Sequence, residues 1–131
     1  MRKANALWCA PLALGLALGL ATTAAHATDE LTRIRDAREI VLAHRDASIP
    51  FSYLDDRKQP IGYSMDLCMK LVDAVRRELK LPTLAVRHLA VTSATRIPAI
   101  VEGRASLECG STTNNAERRR RVDYTIAHFI S

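Results

Sequence analysis

The chain has 131 residues, a formal net charge of +5 at pH 7 and 48% hydrophobic residues. This length is enough for one small domain behind a leader segment, and it excludes two domains. Much of the basic excess lies in one run of arginines, 118–121, so the net charge does not describe the whole surface.

The N-terminal residues predict export. Arg2 and Lys3 precede an apolar run of mostly Leu and Ala at 10–21, and an Ala-x-Ala pattern ends at Ala27. These features are typical of a secretory signal that is cleaved after Ala27. The apolar run is shorter than the roughly 20 residues of a membrane-spanning helix, which makes an anchor the weaker interpretation. We therefore expect a signal peptide at 1–27 and a soluble periplasmic domain at 28–131.

Cys68 and Cys109 remain after cleavage. The periplasm permits a disulfide, but the sequence does not show whether their Cα atoms approach within about 7 Å. Both lie in apolar stretches, where a buried thiol behaves as a small hydrophobe. The sequence leaves the pairing open and favours two free thiols. The histidines are scattered, and we predict neither a metal site nor a cofactor.

The mature chain begins with a predicted helical turn at Leu31 and Ile34, followed by a buried strand at 39–43. Residues 46–62 contain several Ser, Asp, Pro and Gly residues, which predict a loop. A helix is predicted at 65–79, with Ser64 as its N-cap and Pro82 beyond its end. Its apolar residues recur at helical spacing: Cys68, Leu71, Val72, Val75 and Leu79.

The second half of the mature chain alternates strands and helices. We predict a strand at 84–91, a polar turn at 93–96, a short helix at 97–101 that Gly103 ends, and a strand at 105–109. A helical turn at 116–122 and another apolar stretch at 124–130 follow. The order strand, helix, strand, helix, strand predicts an α/β fold with a doubly wound, mostly parallel sheet.

Polar residues follow each predicted strand, where ligands bind in such sheets. Arg45 follows the first strand, Ser93 and Arg96 follow the second, and a run at 111–115 follows the third. Guanidinium groups bind carboxylates through two parallel hydrogen bonds. Arg118 provides a third guanidinium, and the hydroxyls of Ser111 and Thr113 lie in the same run. With no acid/base or nucleophile pair visible, the residues favour binding an anion over transforming one, and we predict no catalytic residue.

Simpler interpretations remain open for each of these residues. Arg45 alone is compatible with a solvated surface group, and Ser93 with a cap of the short helix. The run at 118–121 is compatible with a solvated basic face or a nucleic-acid patch. Export argues against nucleic acid as a partner.

Four runs of the chain resemble the glutamate/aspartate-binding proteins, the periplasmic receptors of polar amino-acid ABC importers (solute-binding protein family 3). They are His-Arg-Asp-Ala-Ser-Ile-Pro-Phe-Ser-Tyr at 44–53, Gly-Tyr-Ser-Met-Asp at 62–66, Thr-Ser-Ala-Thr-Arg-Ile-Pro at 92–98, and Glu-Cys-Gly-Ser-Thr-Thr-Asn-Asn-Ala-Glu-Arg at 108–118. The last run is the most specific. The resemblance implies the type II periplasmic-binding fold, of which this chain would be a partial first lobe.

The resemblance assigns six residues to the ligand site: Arg45, Ser93, Arg96, Ser111, Thr113 and Arg118. The first three would face the side-chain carboxylate of glutamate or aspartate. Ser111 and Thr113 would lie along the α-ammonium and α-carboxylate, and Arg118 would bind the α-carboxylate. The implied protein is a monomeric receptor that delivers an acidic amino acid to the membrane permease of an ABC importer.

Two departures from that family are visible. Relatives usually carry an acidic residue shortly after the helix-ending glycine, where this chain has Ser106, which puts the local packing in question. Relatives also close two lobes on the ligand, whereas this chain ends before a second lobe and before the segment that completes the first. We therefore expect this length of chain alone to bind weakly or not at all, with Ile126, Phe129 and Ile130 lacking full partners.

Two other functions are considered on the same fold. An exported enzyme resembling cyclohexadienyl dehydratase also binds carboxylates, but it would need a general acid or base, for which Glu108 and Glu117 are the nearby candidates. A ligand-sensing domain that feeds a membrane kinase is the third possibility.

Overall fold

The computed structural model describes residues 30–129. The predicted signal peptide at 1–27 and Ile130 lie outside the described residues. Within 30–129, no helix combines the length and the apolar character needed to span a membrane.

The described chain contains helices and strands in the following order: α1 (Glu30–Ala37), β1 (Glu39–His44), β2 (Ala47–Ser48), β3 (Ser52–Leu54), β4 (Pro60–Ile61), α2 (Tyr63–Glu78), β5 (Ala85–Ala90), α3 (Arg96–Val101) and β6 (Leu107–Glu108), then a 3₁₀ turn (Arg118–Arg120). The helical turn predicted at 116–122 is therefore confirmed as this 3₁₀ turn. Residues 124–129, predicted to begin another apolar element, form no regular secondary structure.

The main sheet has the order β5-β1-β6, and both pairings are parallel. Its central strand β1 is buried on both faces, which explains why its apolar residues are contiguous in sequence. Ile40 and Leu42 pack with residues of α1 and α2, whereas Val41 and Ala43 pack with Ala99 of α3. Helices thus cover both faces of the sheet, and the predicted doubly wound parallel arrangement is confirmed.

The segment 46–62, predicted as a loop, contains a small antiparallel sheet of order β2-β3-β4. Its strands have two or three residues, too short for any alternation of apolar and polar residues to predict them. The turn between β3 and β4 depends on Asp55, whose Oδ1 accepts from the backbone N–H of Arg57 and of Gln59, both at 2.8 Å. The loop prediction was wrong for these strands.

Helix α2 begins two residues earlier than predicted, and Gly62 is its N-cap. The backbone N–H groups of Tyr63 and Ser64 donate to the carbonyls of Pro50 and Phe51, both at 2.9 Å. Gly62 has φ 124°, and a Cβ there would lie 2.6 Å from Phe51 O, so only glycine fits. Ser64, predicted as the N-cap, is a buried residue inside the helix, because carbonyls distant in sequence cap α2 instead.

Cys68 of α2 and Cys109, which follows β6, form a disulfide with their Cα atoms 6.2 Å apart. The free thiols that the sequence favoured are therefore not observed. The pairing depends on where α2 crosses the sheet, because both cysteines belong to the apolar cluster around Ile40 and Leu42. The bond fastens the middle of α2 to the turn after β6.

Ser106, the departure from the family pattern, is integrated into the packing of α1. Its Oγ accepts from the backbone N–H of Val41 at 3.1 Å and from Nη2 of Arg33 at 3.3 Å. Glu30 supplies the carboxylate for Arg33, with Nε to Oε2 at 2.8 Å. Ser106 thus joins β1 to the Glu30–Arg33 ion pair of α1, at the position where the resemblance led us to expect an acidic residue.

Candidate functional site

The polar runs predicted to converge do so at the carboxyl edge of the main sheet. Arg45 directly follows β1, the segment 92–96 follows β5, and the turn 110–115 follows β6. Because these three strands are adjacent and parallel, their carboxyl ends open to the same edge.

Arg45 is fixed by two serines. Its Nη1 donates to Oγ of Ser93 at 2.9 Å, and its backbone N–H donates to Oγ of Ser52 at 2.9 Å. The Ser52 hydroxyl, which is fully buried, donates in return to the Arg45 carbonyl at 3.2 Å. Ser93 therefore orients a guanidinium, and the N-cap of α3 is Thr95 instead. Sequence reasoning missed Ser52, because only the fold of 46–54 brings it next to Arg45.

Arg96 is the most buried of the predicted arginines. It lies in the first turn of α3 with 7% of its surface exposed, and its Nε has no hydrogen-bond partner among residues 30–129. Burial lowers the pKa of the Arg96 guanidinium, and the positive charges of Arg118 and Arg45 add to that lowering. The carboxylate of Glu108 opposes it. Arg45, Arg118 and Glu108 therefore lie close enough to Arg96 for their charges to act on it.

The turn after β6 holds the remaining predicted residues. Oγ of Ser111 shares a hydrogen bond with Oγ of Ser48 at 2.8 Å, which joins the turn to β2. Nη1 of Arg118 donates to the carbonyl of Thr113 at 2.8 Å, and its backbone N–H donates to Oδ1 of Asn115 at 2.9 Å. Arg118 is thus held against the turn, and the exposed Ser111 and Thr113 border the same edge.

Glu108 is the residue that sequence reasoning considered only as a possible acid or base. Burial raises the pKa of its carboxyl, and the nearby Thr112 hydroxyl and guanidiniums oppose that rise. The guanidiniums that act on it belong to Arg96, Arg45 and Arg118. Oε1 of Glu108 and Oγ1 of Thr112 are buried and have no aligned hydrogen-bond partner in the described chain.

An open cavity of about 390 Å³ adjoins this edge. It is lined by the turn 110–114, by the segment 124–129 and by Phe51. Ser111 and Thr113 border it, whereas the three arginines lie beside it and not in its lining. The arginine cluster, and not this cavity, carries the charge and the buried unpaired atoms that are typical of a binding site.

The cluster can bind anions. Three guanidinium groups with adjacent hydroxyls provide donors for two carboxylates, and each charge-assisted hydrogen bond contributes about 1.5–3 kcal/mol. Glu108 is the one carboxylate within 30–129 that acts on the pKa of Arg96. The arrangement therefore carries a net excess of positive charge at the edge of the sheet.

Comparisons with known proteins give a family match for the chain. The profile of the bacterial extracellular solute-binding proteins, family 3, matches residues 40–131. The chain is 53% identical over 103 residues to the L-glutamate/L-aspartate-binding protein of Pseudomonas aeruginosa, covering 78% of this chain and 34% of that protein. It is 40% identical over 122 residues to the glutamate/aspartate import solute-binding protein of Escherichia coli, covering 91% of this chain and 40% of that protein.

Among solved structures, the crystal structure of an ancestral cyclohexadienyl dehydratase superposes with a TM-score of 0.67 and 19% identity, covering 79% of this chain and 40% of that one. At this identity the likeness concerns the fold alone. The chain spans about a third to two fifths of the length of the curated relatives it matches.

Proposed function

This chain belongs to family 3 of the bacterial extracellular solute-binding proteins, and on that basis we propose that it is part of a periplasmic receptor for glutamate or aspartate. The receptor would act as a monomer and deliver the amino acid to the membrane permease of an ABC importer. The relatives named above are glutamate/aspartate-binding proteins, which supports an acidic amino acid as the ligand.

The observation that carries this proposal is the convergence of Arg45, Arg96 and Arg118 at one edge of the sheet. A small dicarboxylate offers two planar acceptors at a fixed separation, and guanidinium groups bind such acceptors in pairs. A neutral or cationic amino acid would leave buried positive charge uncompensated, which is costly.

Six residues have proposed roles in this site: Arg45, Ser93, Arg96, Ser111, Thr113 and Arg118. Arg45 and Arg96 bind the side-chain carboxylate, with Ser93 orienting Arg45 through their hydrogen bond. Arg118 binds the α-carboxylate. Ser111 and Thr113 border the cavity beside the turn and contact the α-ammonium and α-carboxylate.

Isothermal titration calorimetry on the complete polypeptide that the gene encodes tests the proposal. We expect micromolar affinity for L-glutamate or L-aspartate, about 8 kcal/mol of binding free energy, and much weaker binding of neutral and basic amino acids. A preference for lysine or histidine would contradict the assignment.

A second candidate function is an exported dehydratase, favoured by the buried carboxyl of Glu108 with its raised pKa. A general acid must reach the atom that it protonates. Oε1 of Glu108 is buried beneath Gly110 and lies among cations that favour its ionised form, which supports a structural charge over a proton donor. Turnover of prephenate or arogenate by the purified protein would favour the enzyme. The absence of turnover would favour the receptor.

A further inference from the structure

Glu108 lies close enough to the three arginines for the charge of each to act on its carboxyl. It is the last residue of β6, paired in register with Ala43 of β1. A Cβ on Gly110 would collide with Oε1 of Glu108 and would lie 3.3 Å from Cγ of Arg45. The absence of a side chain at Gly110 therefore allows a carboxylate and an arginine side chain to pack together at this point.

The position of Glu108 brings one negative charge among three positive ones. Oε1 of Glu108 and Nε of Arg96 are both buried without a hydrogen-bond partner in the described part of the chain. A buried charge is tolerated where opposite charges compensate it. The guanidiniums compensate Glu108, and its ionised carboxylate in return reduces the net charge of the cluster from +3 to +2, counting Arg45, Arg96, Arg118 and Glu108.

We propose that Glu108 determines specificity by making the site select dicarboxylic amino acids over dicarboxylates that lack the amino group. This inference rests on the proposed function. A cluster of three guanidiniums alone attracts the more anionic ligand, which is the dicarboxylate with no ammonium. A fixed carboxylate within the cluster weakens the attraction for ligand carboxylates and offsets the repulsion between the guanidiniums and an α-ammonium.

Other acidic residues near this edge do not have the same position. Asp46 is exposed, and its Oδ1 lies 3.4 Å from Nδ1 of His44. Glu117 is exposed next to Arg118. Charges in water are screened and discriminate weakly between ligands, whereas Glu108 is partly buried and its Oε1 is fully buried.

The substitution Glu108→Gln keeps the shape of the side chain and removes its charge. One unit charge acting on another over about 7 Å at an effective dielectric of about 30 changes an affinity by roughly tenfold. We expect the ratio of the glutarate affinity to the L-glutamate affinity to rise about tenfold in this variant, as measured by calorimetry on the complete gene product. Glu108→Asp, which retains the charge, is expected to keep the ratio near that of the wild type.

Glu102→Gln is the matched control. It removes the same charge from an exposed residue that pairs with Arg104 at 2.7 Å, away from the cluster. We expect its ratio of affinities to equal that of the wild type.

The outcomes separate this inference from the proposed function. If the wild type binds no acidic amino acid, the proposed function fails. If the wild type binds L-glutamate but Glu108→Gln leaves the ratio unchanged, the receptor assignment stands and the role of Glu108 is refuted. If Glu108→Gln fails to fold, the affinities of the wild type still test the inference. A wild type that binds glutarate as tightly as L-glutamate would refute it.

Discussion

Gly110 shows how closely the residues of the site depend on one another. Its missing Cβ leaves space that the carboxylate of Glu108 and the side chain of Arg45 occupy. Ser64 donates to the Gly110 carbonyl at 2.8 Å, so the helix α2 also holds this residue in place. A single backbone position therefore joins two charged groups of the candidate site to α2, the longest helix among the described residues.

Gly110→Ala is expected to weaken L-glutamate binding at least tenfold, because the added methyl group must displace the carboxylate of Glu108. The displaced atom is the end of a flexible side chain, so we expect the loss of stability to be smaller than the roughly 1–3 kcal/mol of core overpacking. Calorimetry for binding and thermal unfolding for stability measure the two effects on the complete protein.

Gly103→Ala provides the control for that prediction. A Cβ there meets nothing within 4 Å, although φ is +68°. The Gly103→Ala substitution should cost roughly 1 kcal/mol of stability through backbone strain and leave the affinity for L-glutamate unchanged. Equal loss of affinity in both variants would show that Gly110 has no particular relation to the site.

The carboxyl of Glu108 also makes stability depend on pH. Its folded-state pKa is raised above the usual 4.5, so the folded protein binds the proton more tightly than the unfolded chain does. The free energy of unfolding must then fall as pH rises from about 4.5 through the folded-state pKa. Glu30 acts in the opposite direction, because its pKa is lowered.

Comparison of the wild type with Glu108→Gln isolates this contribution. Urea unfolding across pH 4 to 8 is expected to show that the variant gains stability relative to the wild type as pH rises. A difference between the two proteins that stays constant with pH would contradict the raised pKa.

At the scale of elements, the sequence predicts those parts whose residues determine their own structure. The contiguous apolar residues of β1 and the periodic apolar residues of α2 predict both elements to within two residues. The strands β2, β3 and β4 could not be predicted, because each depends on its neighbours for pairing, and the turn between β3 and β4 depends on Asp55.

Some features of the candidate site could likewise be predicted from the sequence, and others could not. The positions of Arg45 and Arg96 after strands follow from the order of elements, whereas Arg118 lies in the 3₁₀ turn beyond β6. The resemblance to a family adds the roles of all three, which stay predictions. Ser52 and the burial of Glu108 follow from packing between segments distant in sequence. No local pattern contains that information.

The disulfide between α2 and the turn after β6 is an interaction between elements that the sequence left open. It closes a loop of 41 residues, for which the chain-entropy account gives a stabilisation of about 4 kcal/mol. The double substitution Cys68→Ala with Cys109→Ala should lower the free energy of unfolding by about 2–4 kcal/mol.

Chemical unfolding with and without dithiothreitol measures that effect. The reductant should destabilise the wild type and leave the double variant unchanged. A wild type that is insensitive to the reductant, with its thiols shown to be free, would contradict the bond.

At the scale of the whole molecule, the described residues form part of one lobe of the type II periplasmic-binding fold, as the resemblance predicted. The segment 124–129 keeps apolar surface exposed: Ile126 is 88% and Phe129 56% exposed, although the Phe129 ring lies 4.8 Å from that of Phe51. Ile126 and Phe129 thus lack full partners, as expected.

The site is open on one side, since Ser93, Ser111 and Thr113 are exposed. Charge-assisted hydrogen bonds lose much of their net strength when both partners stay in water. A fragment limited to residues 28–131 is therefore expected to bind L-glutamate at least a hundredfold more weakly than the complete protein. Titration followed by NMR measures affinities in this weak range, and equal affinity of fragment and complete protein would show that one lobe is sufficient.

The most direct test of the central claim is a crystal structure of the complete protein with L-glutamate bound. The account predicts one carboxylate on the guanidiniums of Arg45 and Arg96 and the other on Arg118, all at the carboxyl edge of the sheet β5-β1-β6. A ligand bound elsewhere, or one whose carboxylates contact none of these three groups, would contradict it.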